Sequence, residues 1–200
     1  MRKKERTGNV RKMLWMVLAL LVLTPYIGLY AVKCWYDDKI NDIANARFII
    51  VDKEKLQLHL MDYQGNEEKT YGVCCGKNYG NKQVTGDMKT PEGIFHITDI
   101  EDASTWGHDF KDGKGRIEGA YGPWFLRLAV PGHKGIGIHG THKPESIGTR
   151  DTEGCIRLNN ADIDDLKGRV HPGTVVIVMP SYRDLAITKT YNETKLLTIK

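Results

Sequence analysis

Residues 13 to 32, MLWMVLALLVLTPYIGLYAV, carry no charge at all. At about 1.5 Å of rise per residue, a helical run of this length covers roughly the 30 Å hydrocarbon core of a bilayer. It is apolar on every face, unlike a helix that packs one side against a soluble core. Arg2, Lys3, Lys4, Arg6, Arg11 and Lys12 precede it, opposed only by Glu5. Such a basic flank stays in the cytoplasm, which places the rest of the chain outside. A cleaved signal peptide has a shorter core and ends at a small-x-small site; Tyr30-Ala31-Val32-Lys33 is not one. Pro25 is tolerated inside a membrane helix. The expected organisation is a cytoplasmic flank (1–12), a transmembrane anchor (13–32), a juxtamembrane linker or short helix (33–46), one folded domain (47–180) and a C-terminal tail (181–200).

The basic flank outweighs the net charge of +4 of the whole chain. The remaining residues are therefore slightly acidic in sum, and the charge balance describes an anchor rather than a nucleic-acid-binding surface. The localisation expected is a single-pass protein of the inner or plasma membrane, with its domain in the periplasm or at the outer face.

From Arg47 the pattern changes to short β segments. RFIIVD is rich in β-branched residues, and Leu56, Leu58 and Leu60 alternate with Gln57, His59 and Met61, a half-buried strand. Asp52-Lys53-Glu54-Lys55 and Tyr63-Gln64-Gly65-Asn66 read as turns. KTYGVCCG, IFHI (94–97), WFLRLAV (124–130), GIGIHG (135–140) and TVVIVM (174–179) read as further strands. Residues 101–122 form a long loop, and Asn160 to Leu166 a short helix with an acidic start. Leu185, Ile187, Leu196, Leu197 and Ile199 read as weak strand material. The expected fold is mainly β: one antiparallel sandwich or partly closed barrel with one or two short helices.

Four cysteines, Cys34, Cys74, Cys75 and Cys155, are spaced poorly for a disulfide framework. Adjacent strand residues face opposite ways, so at most one of Cys74 and Cys75 faces the core.

Cys155 lies in a different setting, Thr152-Glu153-Gly154-Cys155-Ile156-Arg157. Gly154 lets a substrate backbone approach, and N–H groups at Gly154 and Cys155 can point at a developing oxyanion. A thiol needs a partner to become a nucleophile, and His139, at a strand end before the flexible Gly140, can supply it. Arg157 shares a face with Cys155 on an extended backbone and can lower the thiol pKa or fork onto a carboxylate. Taken alone, a single cysteine and a distant histidine usually mean only packing. His133, His139 and His142 lack metal-ligand spacing, so no metal is expected.

The order of several segments resembles the L,D-transpeptidase catalytic domain, also called YkuD, from about Arg47 to Pro180. The residues are His139-Gly140-Thr141, then Thr152-Glu153-Gly154-Cys155-Ile156-Arg157, with Lys89-Thr90-Pro91-Glu92-Gly93-Ile94-Phe95 and Gly122-Pro123-Trp124-Phe125-Leu126 ahead of them. The resemblance implies Cys155 as nucleophile, His139 as its base, Gly140 and Gly154 in orienting and oxyanion roles, and Arg157, Thr141, Trp124 and Glu153 as substrate contacts, with no cofactor. It implies a thioester formed on a peptidoglycan peptide stem and resolved by an amine of another stem as a 3→3 crosslink. An L,D-carboxypeptidase or a hydrolase detaching wall proteins would use the same site, and an inactive peptidoglycan-binding scaffold is the non-enzymatic alternative. One residue departs from the family pattern: Glu153 stands where the family has a histidine. Its charge is expected to raise the Cys155 pKa unless Arg150 or Arg157 offsets it.

Overall fold

The computed structural model describes residues 2–198, with side chains described for residues 12–190. The chain divides into a unit of residues 1–45 and a unit of residues 46–200.

The first unit is one helix, α1 (Arg2–Ala44), with Pro25 inside it. Within its segment Lys12–Ala44 an 18-residue stretch has a mean hydropathy of 2.0, and the helix is long and apolar enough to cross a membrane. Residues 33–44 continue the helix, so the stretch after the apolar run is helical rather than an irregular linker.

The second unit is built on β1 (Arg47–Asp52), β2 (Gln57–Asp62), β3 (Glu67–Gly72), β4 (Cys75–Gly76), β5 (Gly93–Asp102), β6 (His108–Asp109), β7 (Arg116–Ile117), β8 (Trp124–Leu128), β9 (Gly137–His139), β10 (Arg150–Thr152), β11 (Ile156–Arg157) and β12 (Val175–Met179). Helix α2 (Asn160–Lys167) precedes β12, and α3 (Tyr182–Thr198) follows it. Eight strands make one sheet in the order β11-β9-β8-β5-β12-β1-β2-β3. The alternation of β2 does what its pattern requires: Leu58 and Leu60 are fully buried with Ile49 and Val51 of β1. Burying an aliphatic side chain of this kind contributes about 1.5–3 kcal/mol.

The architecture is mainly β and a partly closed barrel, a single curled sheet rather than a sandwich. What closes it is the segment after the edge strand β3. Cys74 exchanges backbone hydrogen bonds with Arg157 of the opposite edge strand, at 2.8 and 2.9 Å. The sheet is mixed, not wholly antiparallel: β1 pairs parallel with β12, and β9 parallel with β11. Parallel neighbours need a long connection: the loop after β9 serves β9 and β11, and everything from β2 to α2 lies between β1 and β12.

Cys74 and Cys75 are both fully buried. Cys75 joins the main core, while Cys74 faces the loop that follows β9, where its sulfur accepts the Asp151 N–H at 3.2 Å. Strand alternation holds, and the outward face is covered by loop. The C-terminal tail is helical where weak strand was expected. Ser181 and Asp184 explain the start: Ser181 N–H donates to the Asp184 carboxylate at 2.8 Å and Asp184 N–H to the Ser181 hydroxyl at 3.1 Å, a reciprocal cap. Asp184 is fully buried and also pairs with Lys53 at 3.2 Å.

Candidate active site

His139 ends β9 between two strands, with Phe125 of β8 and Arg157 of β11 as its register partners. Its ring is 4% exposed, stacked on Phe125 at 5.7 Å and 8°, and edge-on to Tyr121 at 5.0 Å. Nδ1 lies 2.6 Å from the Gly140 carbonyl. That contact fixes the proton on Nδ1 in the neutral ring and leaves Nε2 to accept one. Burial, assisted by the Arg157 charge, pushes the His139 pKa down to about 3, against the carbonyls of Gly140 and Tyr121.

The two glycines are needed for different reasons. A Cβ on Gly140 would sit 2.5 Å from Asn160 Oδ1 and 3.0 Å from Pro123 Cδ. Gly154 has φ +133°, and its Cβ would meet the Lys89 carbonyl at 2.7 Å. Its N–H donates to the Thr152 hydroxyl at 3.2 Å, and that hydroxyl donates to the Cys155 carbonyl at 2.6 Å. The turn before the cysteine is thereby clamped by Thr152, and the Gly154 N–H is already engaged.

Cys155 and His139 line one cavity of about 280 Å³. The thiol is half-buried and donates to the Gly135 carbonyl at 3.3 Å, and no direct hydrogen bond joins it to His139. Burial pushes the thiol up to about 11. The Gly137 N–H, Lys82 and Arg157 pull the other way, while Glu153 adds to the rise. At neutral pH the pair is therefore a thiol beside a neutral imidazole.

Arg157 borders the cavity but is 3% exposed. It donates to Ser146 Oγ at 2.8 Å and lies 3.8 Å from Asp151. Its charge acts on both His139 and Cys155 through a short distance rather than from a free fork.

Two expected substrate contacts lie elsewhere. Trp124 neighbours Phe125 on β8; with Phe125 turned to His139, strand alternation sends Trp124 to α2. Its Nε1 donates to Asp164 at 2.9 Å and Lys167 covers its ring. Thr141 is buried, with its hydroxyl accepting the Lys143 N–H at 2.8 Å, and it does not line the cavity. Glu153 does line it, 3.1 Å from His108 Nε2.

Three cavity residues escape a reading of the sequence. Lys82, from the loop after β4, is buried against Asp87 at 2.9 Å. His108 and Tyr121 come from the 101–122 excursion, where β6 and β7 form a two-stranded ribbon. The only signal they gave was their place in a long loop of the kind that borders sites. Asp99, Glu101 and Asp102 of β5, with Asp109 and Asp112 of the excursion, stay outside the cavity. Among the described residues, no group of three or more His, Cys, Asp or Glu side chains is placed to hold a metal.

Comparison with known proteins agrees with the geometry. The family model of the L,D-transpeptidase catalytic domain, YkuD, matches residues 46–178. Bacillus subtilis YkuD is 40% identical over 110 residues, covering 55% of this chain and 52% of that protein. Bacillus subtilis YqjB is 28% identical over 152 residues, covering 74% of this chain and 81% of that protein. Both are named as provisional L,D-transpeptidases. This chain thus spans about half the length of YkuD. Among solved structures, an L,D-transpeptidase from Mycobacterium smegmatis superposes with a TM-score of 0.52 at 18% identity, covering 66% of this chain and 58% of that one. The Ldtfm–avibactam carbamoyl enzyme gives 0.52 at 25% identity, covering 68% and 49%.

Proposed function

Because this chain belongs to the L,D-transpeptidase catalytic domain family, we propose that it is a cysteine-dependent L,D-transpeptidase forming 3→3 peptidoglycan crosslinks through a thioester on Cys155. The observation that carries the reading is the pairing of a thiol and an imidazole in one cavity, with His139 Nδ1 tied at 2.6 Å to Gly140 so that Nε2 is the basic atom.

With the thiol pushed up to about 11 and the imidazole down to about 3, no standing thiolate is available at neutral pH. The proton moves as the sulfur attacks. The thiol leaves the Gly135 carbonyl and gives its proton to His139 Nε2, and the sulfur lone pair forms the bond to the donor-stem carbonyl. The carbonyl π pair moves to oxygen. Collapse expels the terminal residue's amine, which takes the proton back from His139. The Gly140 and Tyr121 carbonyls favour the protonated ring while it holds that proton. An amine of a second stem then attacks the thioester and passes its proton to His139, and the departing sulfur takes that proton, which restores the thiol and the neutral imidazole. One amide is exchanged for another, so the reaction needs no external energy source.

The family's substrate lies outside the cytoplasm, and α1 supports a membrane anchor that holds the catalytic unit there. A reporter fused after Lys200 reads the side on which the domain lies: activity outside the cytoplasm supports the topology.

Incubation of the protein with tetrapeptide-stem muropeptides tests the chemistry. Tripeptide–tetrapeptide dimers, absent with Cys155→Ala, are the expected products. Tripeptides without dimers would reassign the same site to an L,D-carboxypeptidase. Neither product, with peptidoglycan still bound, would leave a scaffold.

A further inference from the structure

Lys82 is a buried cation in the wall of the cavity that holds Cys155. Its side chain is 5% exposed, and its Nζ lies 3.4 Å from the place a Cβ would take on Gly154, the residue before the cysteine. Burial raises the Cys155 thiol; among the charged side chains that pull it back, Lys82 acts more strongly than Arg157. A lysine is buried only where a partner holds it, and Asp87 does so at 2.9 Å.

The mount is stiff. Asp87 also accepts the N–H groups of Gln83, Val84 and Lys89, at 2.7, 3.1 and 3.1 Å, which knots the loop around the partner of the ammonium. Behind the loop, Lys53 Nζ donates to the carbonyls of Gly80 and Thr90 at 3.4 and 3.3 Å. Among the described residues, Asp87 is the hydrogen-bond partner of the Lys82 ammonium. An ammonium has three N–H donors, so two of them remain for a ligand. The other cations of the cavity are placed differently: Arg157 is committed to Ser146 and borders Asp151, and Lys134 is exposed in the loop before β9.

A fixed, desolvated cation with spare donors beside a nucleophile suits an anion that the substrate carries close to the bond being broken. In the reaction proposed above the donor is a tetrapeptide stem, so the residue expelled is the last one and ends in a free carboxylate. Its carboxylate carbon lies within about one residue's span, ~3.8 Å, of the scissile carbonyl carbon. A cation that binds it has to stand beside the cysteine, where Lys82 stands. We propose that Lys82 is a specificity-determining residue that binds the terminal carboxylate of the donor stem and so selects donors whose scissile bond precedes the last residue. The inference rests on the reading of Cys155 as the acyl-transfer nucleophile. The ion pair makes and breaks no covalent bond: sulfur still attacks the carbonyl, His139 still takes the thiol proton and returns it to the departing amine, and the expelled residue leaves with its carboxylate. A stem with a further residue carries an amide at that place, which sets the buried ammonium against an uncharged group.

Two donors that differ in one group test the assignment: the tetrapeptide stem, and the same stem ending in a carboxamide. Each is given to the full-length chain, and release of the last residue is followed. Wild type is expected to use the carboxamide roughly tenfold less well in kcat/KM, the scale of a hydrogen bond to a charged group, with the difference carried by KM. Lys82→Met is expected to bring the ratio of the two donors to about one, whereas Lys82→Arg keeps part of the preference and Lys134→Met all of it. Loss of the Lys82 charge also leaves the thiol less acidic. That share falls equally on both donors and on alkylation of Cys155 by iodoacetamide, so the donor ratio reads recognition alone. Equal use of both donors by wild type, an unchanged ratio in folded Lys82→Met, or loss of the preference in Lys134→Met overturns the proposal, and the wild-type comparison needs no variant to fold. Failure of the premise reads differently: wild type then releases the last residue from neither donor, or Cys155→Ala still releases it from both.

Discussion

The two halves of the cavity are built from different material. One half is strand: His139, Arg157 and the glycines beside them sit in or against β9 and β11, whose backbones are fixed by pairing on both sides. The other half is excursion: His108 sits on a two-stranded ribbon and against Glu153 and Phe110, and Tyr121, in the turn beyond the ribbon, meets His108 through its hydroxyl. On the reading proposed above, the strand half holds the atoms that make and break bonds, and the excursion half supplies side chains that line the cavity beside them. A rigid sheet suits the first task and a loop suits the second.

Substitutions can break or sharpen that contrast. The largest effect is expected in the strand half: Cys155→Ala should abolish crosslink formation in the muropeptide assay, and His139→Gln should lower it by roughly a thousandfold, the scale of a lost general base. Next comes Ile138→Ala, beside His139 and fully buried, with a loss of about 2–5 kcal/mol in denaturant unfolding. Ile117→Ala on the ribbon should cost less than about 1 kcal/mol, like other substitutions away from a core; equal losses would refute the division into rigid and adaptable halves.

The buried imidazole gives the strand half a pH signature. Its folded pKa of about 3 lies below the ordinary histidine value of 6.5. Between those limits the unfolded chain binds the extra proton, so stability rises with pH and falls on acidification from 6.5 toward 3. The melting temperature of His139→Gln, followed over that window, should slope less than that of wild type. The smallest effect on crosslinking is expected at Trp124→Phe, which removes the hydrogen bond to Asp164. Stability should drop by about 0.5–1.5 kcal/mol, with crosslinking per folded molecule unchanged; a raised KM would return Trp124 to the substrate surface.

The same contrast governs what the sequence disclosed. His139-Gly140 and Gly154-Cys155 are readable because strand ends and glycine contacts leave short, ordered signatures. Leu58 and Leu60 gave β2 by alternation alone. Trp124 points to α2 because its neighbour Phe125 claims the His139 face, a consequence of alternation that the two adjacent aromatics do not reveal by themselves. The parallel pairings of β9 with β11 and β1 with β12 are set by what the connections permit, which no local pattern records. The C-terminal helix is signalled by Ser181-Tyr182-Arg183-Asp184, which spells a cap, while the scattered apolar residues after it carry no helical period. The contact of Glu153 with His108 had no local trace, because it depends on where a long excursion folds back.

The seam between Cys74 and Arg157 has a consequence for assembly. It joins points nearly half the chain apart, and contacts of such separation form late because the intervening chain must first be ordered. The turn that carries Cys155, two residues before Arg157, therefore reaches its final register only after the barrel has shut, and a chain halted before that closure lacks the cavity shared by Cys155 and His139.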